Sequence, residues 1–193
     1  DVDSETDTDP GFVIVSSSGS AVAGDTIAND EGRQTDVHVA ALSGGGFVAV
    51  WMKWSAESGG LSDVQARIYN SNGTPKSGEF TVNTSVGHQE SNSDVVALAD
   101  GGFAVVFSDD DAGRMYVQRF DAAGKRIGKE TQTGPDDDAG IALLGAGRLI
   151  VTWGGSQFNS SPDPVFATIL DPRDSATLFP AEGAAPDPGD LLP

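Results

Sequence analysis

The sequence predicts an all-β, β-propeller-like fold, with four-stranded antiparallel blades built from a repeat of about 50 residues, about 3.5 blades in all. Three observations predict it. A glycine-rich hairpin recurs along the chain. A second hairpin with an Asn/Asp–Gly turn follows each copy. The two stay in step from one copy to the next.

The first hairpin is clearest at Gly44-Gly45-Gly46-Phe47-Val48-Ala49-Val50-Trp51 and Asp100-Gly101-Gly102-Phe103-Ala104-Val105-Val106-Phe107. A weaker copy runs from Gly145 through Arg148 and Leu149 to Trp153. Each follows a short apolar strand: Val37–Leu42, Val95–Leu98 and Ile141–Leu144. Strand, glycine turn, strand is the pattern of a β-hairpin. The apolar runs suit inner strands covered on both faces.

The third strands are Val64–Tyr69, Met115–Phe120 and Val165–Leu170. Their apolar–polar alternation has the period of a strand with one face on a core. Their turns start at Asn70, Asp121 and Asp171, residue types that close Asx turns or tolerate positive φ. Fourth strands follow at Gly78–Thr84 and Gly128–Thr133. The N-terminus fits the same template from its third strand onward: Phe12–Val15, a turn at Ser16, then Gly24–Asp30. Gly32-Arg33-Gln34 mirrors Gly87-His88-Gln89 as the exit loop. The count is about 13 or 14 strands, against about 16 for four complete blades. That predicts an incomplete ring, a ring completed by another chain, or an arc of a longer array.

Residues 1–11 form an acidic leader, 12–180 the repeat domain, and 181–193 a Pro/Ala-rich tail. The 29 acidic residues against 11 basic ones give a net charge of −18, which argues against nucleic acid and against an anionic membrane face. No run approaches the roughly 20 apolar residues of a membrane span. The absence of Cys excludes disulfides, thiolate metal sites and a Cys nucleophile.

The order Gly-x-x-x-x-Asn, Gly-x-Gln, Ala-Leu, then Gly-Gly-Phe-x-Val-x-Trp resembles repeats of bacterial secreted and surface proteins. These accompany RTX-type calcium-binding or cadherin-like adhesin modules. Gly78, Asn83, Gly87, Gln89, Ala97, Leu98, Gly101, Gly102, Phe103, Val105 and Phe107 carry the likeness. The copy before them uses Gly24, Asn29, Gly32, Gln34, Ala41, Leu42, Gly45, Gly46, Phe47 and Trp51. The third copy departs from it, with Gly134-Pro135-Asp136 in the exit loop and Arg148 where Phe is expected. The resemblance implies an extracellular or cell-surface bacterial setting. It transfers no catalytic residue, and the RTX nonapeptide itself is absent from the chain.

Two acidic triplets, Asp109-Asp110-Asp111 and Asp136-Asp137-Asp138, offer the oxygen donors that Ca²⁺ prefers. Neither has the Asp-x-Asp-x-Asp-Gly order, and both precede Ala-Gly, as solvated turns do. His38 and His88 fall at different places in the unit and form no symmetric pair. Trp51 and Trp153 share a repeat position with Phe107, a core pattern. Trp54 breaks that pattern. Placed in a loop, it is the candidate contact for a ligand. No catalytic signature stands out. The expectation is therefore a non-enzymatic interaction or structural module that binds a glycan or polymer, or assembles with a sister subunit. The alternatives are a polysaccharide hydrolase or lyase using acidic loop residues, and a structural segment of a larger adhesin or fibre.

Overall fold

The computed structural model describes residues 9–27, 33–55, 59–85, 87–135, 138–154 and 165–171. Among them, thirteen strands form four antiparallel sheets. The first pairs β1 (Gly11–Val15) with β2 (Ala21–Thr26). The second is β3 (Gln34–Ala41), β4 (Phe47–Ser55), β5 (Leu61–Tyr69) and β6 (Phe80–Thr81), side by side in chain order. The third repeats that order with β7 (Glu90–Ala97), β8 (Phe103–Asp109), β9 (Arg114–Phe120) and β10 (Arg126–Pro135). The fourth holds β11 (Ala139–Leu143), β12 (Leu149–Gly154) and β13 (Val165–Leu170). One 3-10 turn, Gly145–Gly147, is the only helical piece among the described residues. No helix among them is long and apolar enough to cross a membrane.

The sheets are blades stacked face on face, and the alternation of each strand shows how. In β4, Val48 and Val50 point into a core shared with the third sheet, while Ala49 and Trp51 point back to the first. In β8, Phe103, Val105 and Phe107 face the second sheet, and Ala104 and Val106 face the fourth. All seven residues of β8 are buried for this reason. A strand apolar at every position needs cover on both sides, and stacked blades supply it. The fold is all-β and propeller-like.

The same aromatic cluster recurs at two interfaces. Phe47 stacks on Tyr69 at 4.8 Å with Phe12 edge-on, and Phe103 stacks on Phe120 at 5.0 Å with Phe80 beside it. Arginines tie neighbouring blades. Arg67 donates to the Ile27 carbonyl at 3.1 Å, and Arg126 reaches the equivalent Val82 carbonyl and that of Asn83 at 3.0 Å. Tyr69 also donates to the Ile27 carbonyl, at 2.9 Å.

Pairing corrects the expected repeat alignment at three places. Gly11 lies opposite Thr26 as Gln65 lies opposite Thr81, so Gly24 matches Glu79, not Gly78. Gln34 lies opposite Lys53 and Glu90 opposite Asp109, so Gln34 matches Glu90, not Gln89. The Arg33 carbonyl accepts from Trp54 N–H as that of Gln89 does from Asp110 N–H. In the third copy Leu149 pairs with Leu170 as Phe47 pairs with Tyr69, so Leu149 holds the Phe position. Arg148 then occupies the site of Gly46 and Gly102. It fits because its hairpin turns through the 3-10 segment, and Arg148 keeps an extended φ of −76°. Trp54 lies within β4, opposite Ser62, not in a loop. Residues 1–8 of the expected leader and 181–193 of the expected tail fall outside the described residues.

Candidate functional site

The first strand of each of the last three sheets, β3, β7 and β11, lies at one edge, and these edges adjoin: β7 packs beside both β3 and β11. They form the inner wall of the arc. Polar side chains gather there.

A β-bulge interrupts β3 between Thr35 and His38 and another interrupts β7 between Ser91 and Asp94. The extra residues are Asp36 and Asn92, both left-handed, with φ of 56° and 49°. Asp and Asn are the non-glycine residues that adopt this conformation most readily. Bulges re-aim the residues beside them. Here they bring together Asp36, His38 and Asp94. His38 Nε2 lies 3.1 Å from Asp36 Oδ1, and its Nδ1 lies 3.5 Å from Asp94 Oδ1. The free carboxylate oxygens link the inner strands. Asp36 Oδ2 accepts from Ser93 N–H at 3.1 Å, and Asp94 Oδ2 accepts from Ile141 N–H at 3.0 Å. Backbone bonds thus hold two carboxylates against one imidazole, and all three side chains remain partly open to solvent. An imidazole so placed can deliver a proton, and a carboxylate beside it can accept one.

A second polar group forms where β7 begins and β8 ends. Asp109 accepts from His88 Nδ1 at 2.8 Å, from Ala112 N–H at 2.8 Å and from the Ser85 hydroxyl at 3.4 Å. Asp110 accepts from the Gln89 side-chain amide at 2.9 Å and from the Ser91 hydroxyl. Asp111 accepts from Gln89 N–H at 2.8 Å. The triplet expected to offer oxygens to calcium is therefore turned onto loop 85–91, each carboxylate on its own donors. Asp138 is exposed, and Asp136 and Asp137 fall outside the described residues. Among those residues no three His, Asp or Glu side chains are arranged to hold a metal ion. The hydrogen bond to Asp109, then its charge, raises the His88 pKa.

Glu90 sits behind this loop. It is fully buried, and neither carboxyl oxygen has a hydrogen-bond partner among the described residues. Burial first, then the charges of Asp63, Asp109, Glu130 and Asp111, push its pKa up to about 8. A perturbed carboxyl often marks an active site. Glu90 has no exposed surface with which to touch a substrate, so its role is internal.

Trp54 is half-buried, and its Nε1 is enclosed without a hydrogen-bond partner among the described residues. Its cross-strand neighbour Ser62 donates to the Glu90 carbonyl, so Trp54 shares the sheet face that meets β7. Trp51 is core, and Trp153 stacks on Phe166 at 5.8 Å. Sequence reasoning missed Asp36, Asp94 and Glu90. The one available signal was that Asp94 holds the repeat position of His38.

No family model matches the sequence, and no curated protein matches it. Two solved structures are similar. One is the Penicillium chrysogenum alpha-L-arabinanase complexed with arabinobiose, with a TM-score of 0.53 and 16% identity, covering 79% of this chain and 46% of that one. The other is the endo-arabinase from Bacteroides thetaiotaomicron, at 0.49 and 13%, covering 79% and 61%. The likeness is one of fold. The chain spans less than two thirds of the length of either. The first of the two is named as an arabinanase, an enzyme. This corrects the expectation of a non-enzymatic module, which rested on the lack of a catalytic motif in the sequence. Side chains from separate blades can build an acid–base group that no local motif displays.

Proposed function

We propose that this chain belongs to a glycan-cleaving hydrolase, with the Asp36–His38–Asp94 group as its acid–base centre. The observation that carries the reading is that group: an accessible imidazole between two carboxylates, on the inner strands of a propeller-like arc. The fold shared with an arabinanase holding arabinobiose supports it and makes arabinan the first polymer to test.

Glycoside hydrolysis needs a proton on the departing oxygen and a carboxylate that assists attack at the anomeric carbon. His38 is placed to exchange the proton with the departing oxygen, and Asp36 and Asp94, at 3.1 and 3.5 Å, to hold its ring; the carboxylate that assists attack must stand across the sugar, about 5 Å or more away. Of the acidic loop residues expected to serve this chemistry, Asp109 and Asp111 are hydrogen-bonded to His88 and to Gln89 N–H, Asp138 is exposed, and Asp136 lies outside the described residues.

Release of reducing ends from arabinan and related polymers is the assay. Asp94→Asn keeps an acceptor oxygen for Ile141 N–H but removes the carboxylate. It is expected to lower kcat/KM by about 100-fold or more with the circular dichroism spectrum unchanged. Equal turnover in Asp94→Asn, Asp36→Asn and the parent chain would remove this site from consideration. No turnover on any arabinose-, xylose- or galactose-containing polymer would remove the hydrolase reading itself.

A further inference from the structure

The bulges of β3 and β7 are counterparts, but their inserted side chains are used differently. His38 lies opposite Val50 as Asp94 lies opposite Val106, so the inserted residues Asp36 and Asn92 hold the same place in successive blades. Both have a left-handed backbone, a costly conformation for a residue with a side chain. The blade itself does not require it: β11, the next inner strand, pairs with β12 in unbroken register from Ala139 to Leu143. In β3 the inserted side chain is used twice, since Asp36 holds the His38 ring and accepts from Ser93 N–H. In β7 the Asn92 amide makes no hydrogen bond among the described residues, and the residue is only half-buried. Its neighbours are bonded or sealed. The Ser91 hydroxyl donates to Asp110, Ser93 is buried, and Asp94 accepts from the N–H groups of Val95 and Ile141.

Strained backbone persists where its surroundings make use of it, and it gathers at positions that hold ligands. We propose that the Asn92 amide is a sugar-binding group, pairing with two neighbouring hydroxyls of the glycan unit beside the linkage cleaved at Asp36–His38–Asp94, which presupposes the glycan reading of that group. An amide sets an N–H donor beside a carbonyl acceptor. Each sugar hydroxyl can donate and accept, so two adjacent hydroxyls complete both bonds. Asn92 stands two residues from Asp94, roughly 7 Å along the strand, a step comparable to one sugar ring. The unit it holds is thus the neighbour of the one under attack. A neutral amide also suits the place, because a carboxylate there would add a third negative charge to those of Asp36 and Asp94.

Asn92→Gly is the deciding variant, because glycine takes a positive φ readily and so removes the amide while keeping the bulge. Two readouts are taken on arabinan and on xylose- and galactose-containing polymers. One is release of reducing ends. The other is retardation in native gels that contain the polymer, measured in the Asp94→Asn background so that binding is read without turnover. Asn92→Gly is expected to keep the parent's melting temperature, to raise KM and to weaken retardation about 10-fold, with kcat within about threefold. Asn92→Asp retains a residue type that takes the left-handed bulge, as Asp36 does, and is expected to weaken binding at least as much. Unchanged KM and retardation in Asn92→Gly would overturn the sugar contact, leaving Asn92 a residue suited to the backbone alone and the hydrolase reading intact. A lowered kcat at unchanged KM overturns it too, since the effect would then act through Asp94. Retardation that depends on Asn92 in a chain without turnover keeps the sugar contact and removes the hydrolase reading. A parent chain that neither binds nor cleaves any of these polymers removes both.

Discussion

The thermal stability of this chain is expected to fall between about pH 5 and pH 8.5, and Glu90→Gln to remove most of that fall. Glu90 carries a carboxyl sealed from solvent with no donor to it among the described residues. Its folded pKa stands at about 8, raised from 4.5. A folded pKa raised above the unfolded value means that the native state holds the proton more tightly. Stability is therefore full below the unfolded pKa and is lost as pH rises toward the folded one. Solvent near the neighbouring loop carboxylates screens the effect, leaving a loss of about 3 kcal/mol. For a chain of this size that is about 6–12 °C in Tm. His88 adds a smaller change of the same sign, since its pKa is raised by Asp109 and its ion pair is lost as it deprotonates. The second blade already shows the remedy, with Gln34, itself buried, at the position of Glu90. Melting curves of both proteins at pH 5 and pH 9 give the answer. A Glu90→Gln profile parallel to that of the parent would mean that Glu90 is ionised without cost.

The repeat was legible because its signals are local. Period-two alternation, glycine turns and Asx turns each need only a few neighbouring residues, and β5 and β9 run as their alternation predicts. What the sequence hid depends on bulges and on neighbouring blades. Asp36 and Asn92 each insert one residue into a strand, and an inserted residue is invisible to a pattern that restarts at every turn. The exit loops were aligned one residue out of step on a shared Gln, Gln34 with Gln89, although pairing matches Gln34 to Glu90. His38 was compared with His88, the other residue of its kind, although its structural counterpart is Asp94, a carboxylate at the same place in the next blade. The observed group joins unlike residues, His38 and Asp94, at equivalent positions. The Asp109 triplet turns its oxygens onto His88 and Gln89, donors that composition alone does not bring near. Glu90 sits in a polar stretch, Glu90-Ser91-Asn92-Ser93, where nothing local announces burial.

Gly102→Ala is expected to cost about 4 kcal/mol or more, and Gly44→Ala almost nothing, though both lie in copies of the same hairpin turn. A Cβ on Gly102 would lie 2.2 Å from the Phe120 carbonyl oxygen, and one on Gly46 would lie 2.1 Å from that of Tyr69. The obstacle is backbone, which cannot rotate aside as a flexible side chain would. Phe103 and Phe120 are stacked at this point and buried, so the strand can retreat only by opening the shared core. Overpacking usually costs about 1–3 kcal/mol, and contact with a fixed carbonyl lies beyond that range. Gly102 separates this steric cause from conformational strain, because its φ is not positive, whereas Gly46 at φ +88° would suffer both. Gly44 has nothing within 4 Å of a Cβ and no positive φ, so Ala there restricts mainly the unfolded chain and stays within about 0.5 kcal/mol of the parent, if anything more stable. Thermal melting curves of the two variants decide the matter, with Gly102→Ala expected to melt about 8–16 °C lower. If the two variants melt together, close approach of β8 to the Phe120 carbonyl is not what demands glycine. Arg148, at the same position in the third copy, marks the boundary of the rule: there the chain enters β12 through a 3-10 turn, and a side chain fits.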